Sequence, residues 1–163
     1  MLGQALARER PSPQDAAKIY SSLLNDPDVG AEANVRLGAL LLRGNNASKA
    51  LEQFDRAEWL TRDPDLVYLA RFYRGQIALR AHHDADAVAA FRAALAVRPG
   101  SQSASAALAA LLVKADQHTA AQAVMKAVLE AGPDHTDPHI EYMHGDDRFW
   151  PALIAALHRE IKK

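Results

Sequence analysis

The sequence predicts an all-α protein, a right-handed solenoid of about three stacked helical hairpins. Three segments of the chain repeat one another, and the intervals between matching positions are 37 and then 34 residues. A period of this length is typical of helical hairpins, each of which buries its apolar face against its neighbours. The recurring positions are Gly38, Gly75 and Ala109, then Ala50, Ala87 and Ala121, and finally Phe54, Phe91 and Met125.

The composition also favours closely packed helices, because aromatic residues make up only 6% of the chain and Val/Ile runs typical of strands are absent. The 19 lysines and arginines nearly balance the 20 aspartates and glutamates, so no overall field attracts nucleic acid or an anionic membrane. No cysteine is present, which excludes disulfides and thiolate metal sites. No apolar run approaches the roughly 20 residues of a membrane-spanning helix. We therefore expect a soluble protein of the cytoplasm, or of the periplasm if the native chain is longer at its N-terminus.

The first complete hairpin occupies residues 31–64. Apolar residues at helical spacing predict a helix from Glu32 to Arg43, and the turn residues Gly44-Asn45-Asn46 end it. A second helix runs from about Ala47 to Thr61, capped by Asn46 or Ser48, until Asp63-Pro64 stops it.

The second and third hairpins occupy residues 66–99 and 101–133 and follow the same plan of helix, short turn and helix. The internal turns lie at residues 82–84 and 116–118, and Pro99-Gly100 and Gly132-Pro133 close the two units.

The two ends of the chain do not complete a repeat. Residues 1–28 resemble the second part of a unit and predict a partial hairpin with Leu2 and Leu6 on an uncapped face. Residues 134–163 predict a connector and a C-terminal capping helix, which Asp146 or Asp147 can cap. The apolar stripe of that helix comprises Phe149, Trp150, Leu153, Ile154, Leu157 and Ile161.

The repeated pattern resembles the tetratricopeptide repeat family, in a bacterial-type protein. Leu37-Gly38 matches the Leu-Gly pair of the family, and Ala50-Phe54-Ala57 and Ala87-Phe91-Ala94 match its series of alanine, aromatic and alanine. The resemblance covers roughly residues 31–133. It implies a noncatalytic scaffold or adaptor that binds a peptide or helix of another protein in a concave groove. The usual bulky first residue is replaced in the three units by Asn34, Arg71 and Ser105.

The resemblance also implies which residues face the ligand, because the first helix of each hairpin lines the groove. The groove residues are Val35, Ala39, Leu42, Leu69, Phe72, Gln76, Leu79, Ser103, Ala106, Ala110 and Val113. Phe72, Tyr73 and Tyr68 are the candidate aromatic anchors, and the alternative is that these rings belong to the core between repeats. Binding should then depend on Phe72 and Gln76 more than on the histidines that follow. The subset of the family that clamps chaperone tails has lysine, asparagine and arginine at groove positions, and we do not expect its activity here. The residues at those positions are Val35, Ala39, Tyr73, Ser103 and Ala107.

Three cations recur at the C-terminal end of the first helix of each hairpin, at Arg43, Arg80 and Lys114. A cation at this position complements the helix dipole and contributes about 0.3–1 kcal/mol. The alternative is a basic rim that receives an acidic or extended partner.

Three functional hypotheses remain. The first is the adaptor, and the second is a structural oligomerisation element that forms a weak homo-oligomer by stacking through the N-terminal face. The third is a metal-binding protein that uses His135, His139 and His144. Against a metal site, Pro138 and Gly145 should interrupt any helix here and leave a polar connector. The chain has no phosphate-binding glycine loop, no nucleophile elbow and no paired catalytic carboxylates, so we assign no catalytic residue, no cofactor and no metal.

Overall fold

The computed structural model describes residues 12–132 and 135–144. These ranges contain eight α-helices and no strand, which confirms the predicted all-α solenoid of helical hairpins. The helices are α1 (Pro13–Leu23), α2 (Gly30–Arg43), α3 (Ala47–Leu60), α4 (Pro64–Arg80), α5 (Asp84–Val97), α6 (Gln102–Lys114), α7 (His118–Ala131) and α8 (Pro138–His144). Leu2, Leu6 and the predicted capping helix lie outside the described residues. Within the described part, no helix is long and apolar enough to cross a membrane.

The three complete hairpins are α2–α3, α4–α5 and α6–α7, and the second helix of each packs against the first helix of the next. Helix α1 packs on α2, where Leu23, Val29 and Ala33 form a small separate core. The larger core runs through all three hairpins and includes the fully buried alanines Ala50 and Ala87. Helices α2 and α4 also pack directly on each other, and the first helices of the three hairpins, α2, α4 and α6, are called the inner layer below.

Glycine in this inner layer makes room for a phenylalanine of the second helix. A Cβ added at Gly38 would lie 2.6 Å from Cε1 of Phe54, and one added at Gly75 would lie 2.6 Å from Cε1 of Phe91. Such distances are far below the 3.5–4.0 Å of an ordinary carbon contact. The third hairpin has an alanine at the glycine position and Met125, a thinner and more flexible side chain, at the phenylalanine position. Met125 is 40% exposed, so the third hairpin does not repeat the buried contact between a glycine and a ring.

The same turn joins the two helices of every hairpin. Asn45, His82 and Asp116 adopt φ values of 60°, 59° and 56°, in the left-handed region. In each case the next N–H donates back to a carbonyl five residues earlier, for example His83 N to Ala78 O at 2.9 Å. These are the bonds of a Schellman C-cap. The turn conformation therefore repeats with the same intervals as the packing residues, although its residues differ.

Polar contacts explain two of the residues that replace the usual bulky first residue of the repeat pattern. The Arg71 guanidinium donates to Oε1 of Glu58 and, at 3.1 Å, to the carbonyl of Ala93, so that it joins α4 to both α3 and α5. The buried Asn34 amide donates to Gly30 O at 2.6 Å and to Leu24 O at 3.3 Å. A hydrogen-bonding side chain has replaced a bulky apolar one at these contacts between helices.

A candidate peptide groove across the first helices

Helix α8 lies across the inner layer and contacts all three first helices. Its His139 ring is 4.4 Å from the Phe72 ring of α4, measured between centroids, and its Nδ1 is 3.3 Å from Ser103 Oγ of α6. The Arg36 guanidinium of α2 lies over the Tyr142 ring, 4.9 Å from its centroid. The segment expected to be a polar connector is therefore helical and partly buried.

Pro138 was expected to interrupt a helix, and it begins α8 for a clear physical reason. Proline is accepted in the first turn of a helix, where its missing N–H would have no intrahelical partner. Asp137, which precedes it, accepts the N–H of His139 at 2.8 Å on Oδ1 and so caps the helix. The residue expected to interrupt a helix begins one instead. The sequence contains a signal for this, because Asp63-Pro64 starts α4 in the same way.

The second oxygen of Asp137 caps another helix. Its Oδ2 accepts the N–H of Ser103, in the first turn of α6, at 2.6 Å, while the side chain of Ser101, the N-cap residue of α6, makes no capping hydrogen bond. The hydroxyl of Tyr68 also donates to Asp137 Oδ1 at 3.4 Å. One buried carboxylate thus satisfies donors at the starts of α6 and α8 and fixes the two helices together.

A cavity of about 240 Å³ lies between α2, α4 and α8. Four of the predicted groove residues and two of the predicted rim residues meet there. The cavity is lined by Ala39, Leu42, Arg43, Phe72, Tyr73, Gln76, Arg80, His139 and Tyr142. Residues of the predicted groove and of the histidine-containing segment, which the sequence treats as separate, therefore line one cavity.

Phe72 is the centre of the aromatic cluster beside this cavity. Its ring centroid lies 6.0 Å from that of Tyr68, 5.6 Å from that of Tyr73 and 5.8 Å from that of Phe91. Only 3% of Phe72 is exposed. The residue belongs to the core between repeats and also forms the wall on which α8 packs, whereas its use as an anchor for a bound peptide stays a prediction.

Other predicted groove residues lie away from the cavity. Val35 and Leu69 are buried in the interior, because α2 and α4 turn these positions toward neighbouring helices. Leu79 is partly buried against the same core, and Ser103 is held by Asp137 and His139. On α6, the remaining groove positions are exposed. These are Ala106, Ala110 and Val113.

The three predicted rim cations have different partners. Arg80 donates from Nη1 to Leu42 O, a carbonyl at the end of α2, at 3.3 Å. It therefore complements the C-terminus of the helix in the preceding hairpin. Lys114 forms an ion pair with Asp84 at 2.5 Å and does not line the cavity. Arg43 is exposed at the cavity edge, without a hydrogen bond or ion pair within the described residues.

A buried charged pair supports the other end of α8. Glu32, of which 2% is exposed, forms an ion pair with Arg36, and the guanidinium covers the ring of Tyr142. Burial raises the pKa of Tyr142 well above its usual value, and burial also raises that of Tyr73 to about 12. Both phenols are neutral at physiological pH and supply aromatic surface. Sequence analysis missed this contact, which joins residues more than a hundred positions apart.

The histidines do not form a metal cluster within the described residues, where no three candidate ligands lie close enough together to hold an ion. His139 packs on Phe72 instead, and burial lowers the pKa of its imidazole although Asp137 opposes the shift. His135 precedes α8 and is not on the same helix as His139. The neutral imidazole of His139 acts as an aromatic ring in this site.

Residues 78–143 match the family model described as tetratricopeptide repeat, from the end of α4 into α8. The resemblance inferred from the repeated residues is thereby confirmed, while the bacterial-type assignment stays a prediction. No curated protein matches the chain. Repeats of this family generally mediate protein–protein interaction and are typically noncatalytic.

Proposed function

We propose that this chain, which contains tetratricopeptide repeats, is a noncatalytic adaptor that binds a peptide or helical segment of another protein across α2, α4 and α6. The observation that carries the proposal is the cavity beside α8, whose walls combine aromatic rings with an amide and two guanidinium groups. Peptide-binding sites typically combine such aromatic anchors with a few polar groups that fix orientation.

The bound segment presents a carboxylate beside an apolar side chain. The apolar part packs on Phe72 and Leu42, and the carboxylate faces Arg43 and Arg80. Supporting this polarity, Arg43 is exposed at the cavity edge and Arg80 donates to a backbone carbonyl, that of Leu42. A carboxylate placed between them would accept charge-assisted hydrogen bonds, which are stronger than neutral ones.

The test compares captured proteins between the native chain and matched variants, with mass spectrometry as the readout. Gln76→Ala and Arg43→Gln alter the cavity without removing a buried ring, whereas Phe72→Ala would also disturb the core. Arg92→Gln, on the exposed face of α5, is the control. We expect the Arg92→Gln control to retain one partner that the Gln76→Ala, Arg43→Gln double variant loses. Calorimetry with the purified partner should then show at least a tenfold weaker affinity for the double variant, and equal affinity would refute the proposal.

The oligomerisation hypothesis rests on the N-terminal face and stays a prediction, since Leu2 and Leu6 lie outside the described residues. Sedimentation at several concentrations tests it. A mass that rises with concentration in the native chain, and not in a Leu2→Glu, Leu6→Glu variant, would favour stacking over the adaptor. A constant monomer mass in both would remove it.

A further inference from the structure

Helix α8 occupies part of the surface on which the proposed ligand binds. Its rings at positions 139 and 142 lie three residues apart, on one face of the helix, and meet Phe72, Tyr73 and Arg36. The chain therefore carries, in its own sequence, a segment that fits the groove. The contacts of that segment indicate the chemistry the groove accepts.

Five contacts define that chemistry. The carboxylate of Asp137 accepts the N–H of Ser103 in the first turn of α6, the imidazole of His139 packs on the Phe72 ring, and its Nδ1 lies 3.3 Å from Ser103 Oγ. The second ring lies edge-on to Tyr73, with centroids 6.3 Å apart, and under Arg36. Ile140 is 40% exposed, so the groove does not select this position.

Helix α8 does not fill the groove completely. Beyond the two rings of α8 the cavity of about 240 Å³ continues toward Arg43, Arg80 and Gln76. The described contacts of α8 with the inner layer include those of Asp137 and of the two rings. An external segment that reproduces these contacts and also reaches the arginines would have the larger contact surface.

We propose that the partner segment is a short helix with the pattern of α8, an aspartate cap followed by aromatic or histidine rings three residues apart, and that it binds by displacing α8. This inference rests on the proposed function. Because α8 is tethered to the groove, it competes at an effective concentration on the order of millimolar. The closed chain, in which α8 lies in the groove, therefore binds a separate peptide of the same pattern weakly. In the open chain α8 is detached from the groove and no longer competes. The apparent affinity for the separate peptide then rises in proportion to the fraction of chains that are open.

The probe is a fluorescent peptide of residues 136–144, Thr136 to His144, titrated with the full-length chain and followed by anisotropy. Two variants open the chain by different routes. Asp137→Asn weakens the shared cap, and His139→Ala, Tyr142→Ala removes the rings of α8 while leaving α2, α4 and α6 unchanged. Ile140→Gln, at an exposed position of the same helix, is the control that should stay closed. Circular dichroism verifies that all variants remain helical.

We expect both opened variants to bind the peptide at least tenfold more tightly than the native chain and the Ile140→Gln chain. A peptide with alanine at its two ring positions should lose this gain. Equal affinity for native and opened chains, no binding to opened chains up to millimolar concentration, or equal binding of the ring-less peptide would each overturn the inference. Opened chains that capture a partner through Gln76 and Arg43 but ignore the peptide would refute this inference alone. Opened chains that bind the peptide while no partner depends on Gln76 and Arg43 would refute the adaptor role alone.

Discussion

A single methyl group added at Gly75 tests the packing that defines the repeats. In Gly75→Ala the new Cβ would lie 2.6 Å from Cε1 and 2.7 Å from Cδ1 of Phe91, whose ring is fully buried. The ring must therefore move by about 1 Å to restore an ordinary contact. It cannot move freely, because the ring of Phe72 lies against it at 5.8 Å.

Overpacking of this kind typically destabilises by about 1–3 kcal/mol. Alanine is a better helix former than glycine by about 1 kcal/mol, which offsets part of that loss. Because the Phe91 ring is fully buried and held by Phe72, the overpacking cost should lie in the upper part of that range, about 2–3 kcal/mol. We therefore expect Gly75→Ala to lower the free energy of unfolding by about 1–2 kcal/mol. Gly44→Ala is the matched control, because its added Cβ would meet nothing closer than 3.5 Å. It should change stability by no more than about 0.5 kcal/mol.

A thinner and more flexible side chain at position 91 is the compensating change. Phe91→Met removes the ring atoms that the new Cβ would meet and should therefore relieve the clash in Gly75→Ala. A double-mutant cycle, measured by urea unfolding with far-ultraviolet circular dichroism, should give a favourable coupling of about 1 kcal/mol or more. Equal stabilities of the Gly75→Ala and Gly44→Ala chains, or strictly additive effects in the cycle, would refute the reasoning.

Three further predictions use the same unfolding measurement or nuclear magnetic resonance. Ala87→Leu should destabilise the chain by about 1–3 kcal/mol, because Ala87 is fully buried between helices. Arg92→Leu, on the exposed face of α5, should have little effect. Equal losses of stability in the two variants would contradict the predicted packing. His82→Gly should stabilise the chain by up to about 1 kcal/mol, since glycine adopts a φ of 59° without strain. The gain should be smaller for Asn45→Gly, because asparagine tolerates the left-handed region. A loss of stability in His82→Gly would argue against the turn geometry. The pKa of His139, measured from its ring proton shifts, should lie below the usual 6.5 because burial disfavours the imidazolium, and should move back toward 6.5 in Asp137→Asn if α8 then detaches. Since the unfolded chain then binds the proton more readily, the contribution of His139 to stability should be complete above about pH 6.5 and fall as the pH drops toward its folded pKa, and an unshifted pKa would contradict the docked ring.

The hairpins could be predicted from sequence because their determinants are local and repeated. Helical spacing of apolar residues, turn residues at matching intervals and prolines at unit boundaries placed the helix ends within a few residues of those observed. The role of Gly38 as a small residue was predicted, whereas its specific partner, the ring of Phe54, required the structure.

Helix α8 could not be predicted in the same way. Seven residues are too few for an apolar period, and its position depends on contacts such as Tyr68 with Asp137, 69 residues apart. The Asp-Pro pair alone would not have been sufficient. Asp26-Pro27 has the same sequence, yet the Asp26 carboxylate accepts the N–H of Asp28 at 2.9 Å within a turn that precedes α2.

The position of α8 changes how the solenoid is expected to unfold. In a simple stack each hairpin contacts only its neighbours, so unfolding can begin at either end and spread along the array. Here one short helix contacts α2, α4 and α6, and its Asp137 joins it to the start of the third hairpin. The first and last hairpins thus share a common contact, and the loss of either releases it. The chain therefore gains cooperativity between units that are not neighbours in sequence, so the same helix that lies in the groove also couples the melting of the three repeats.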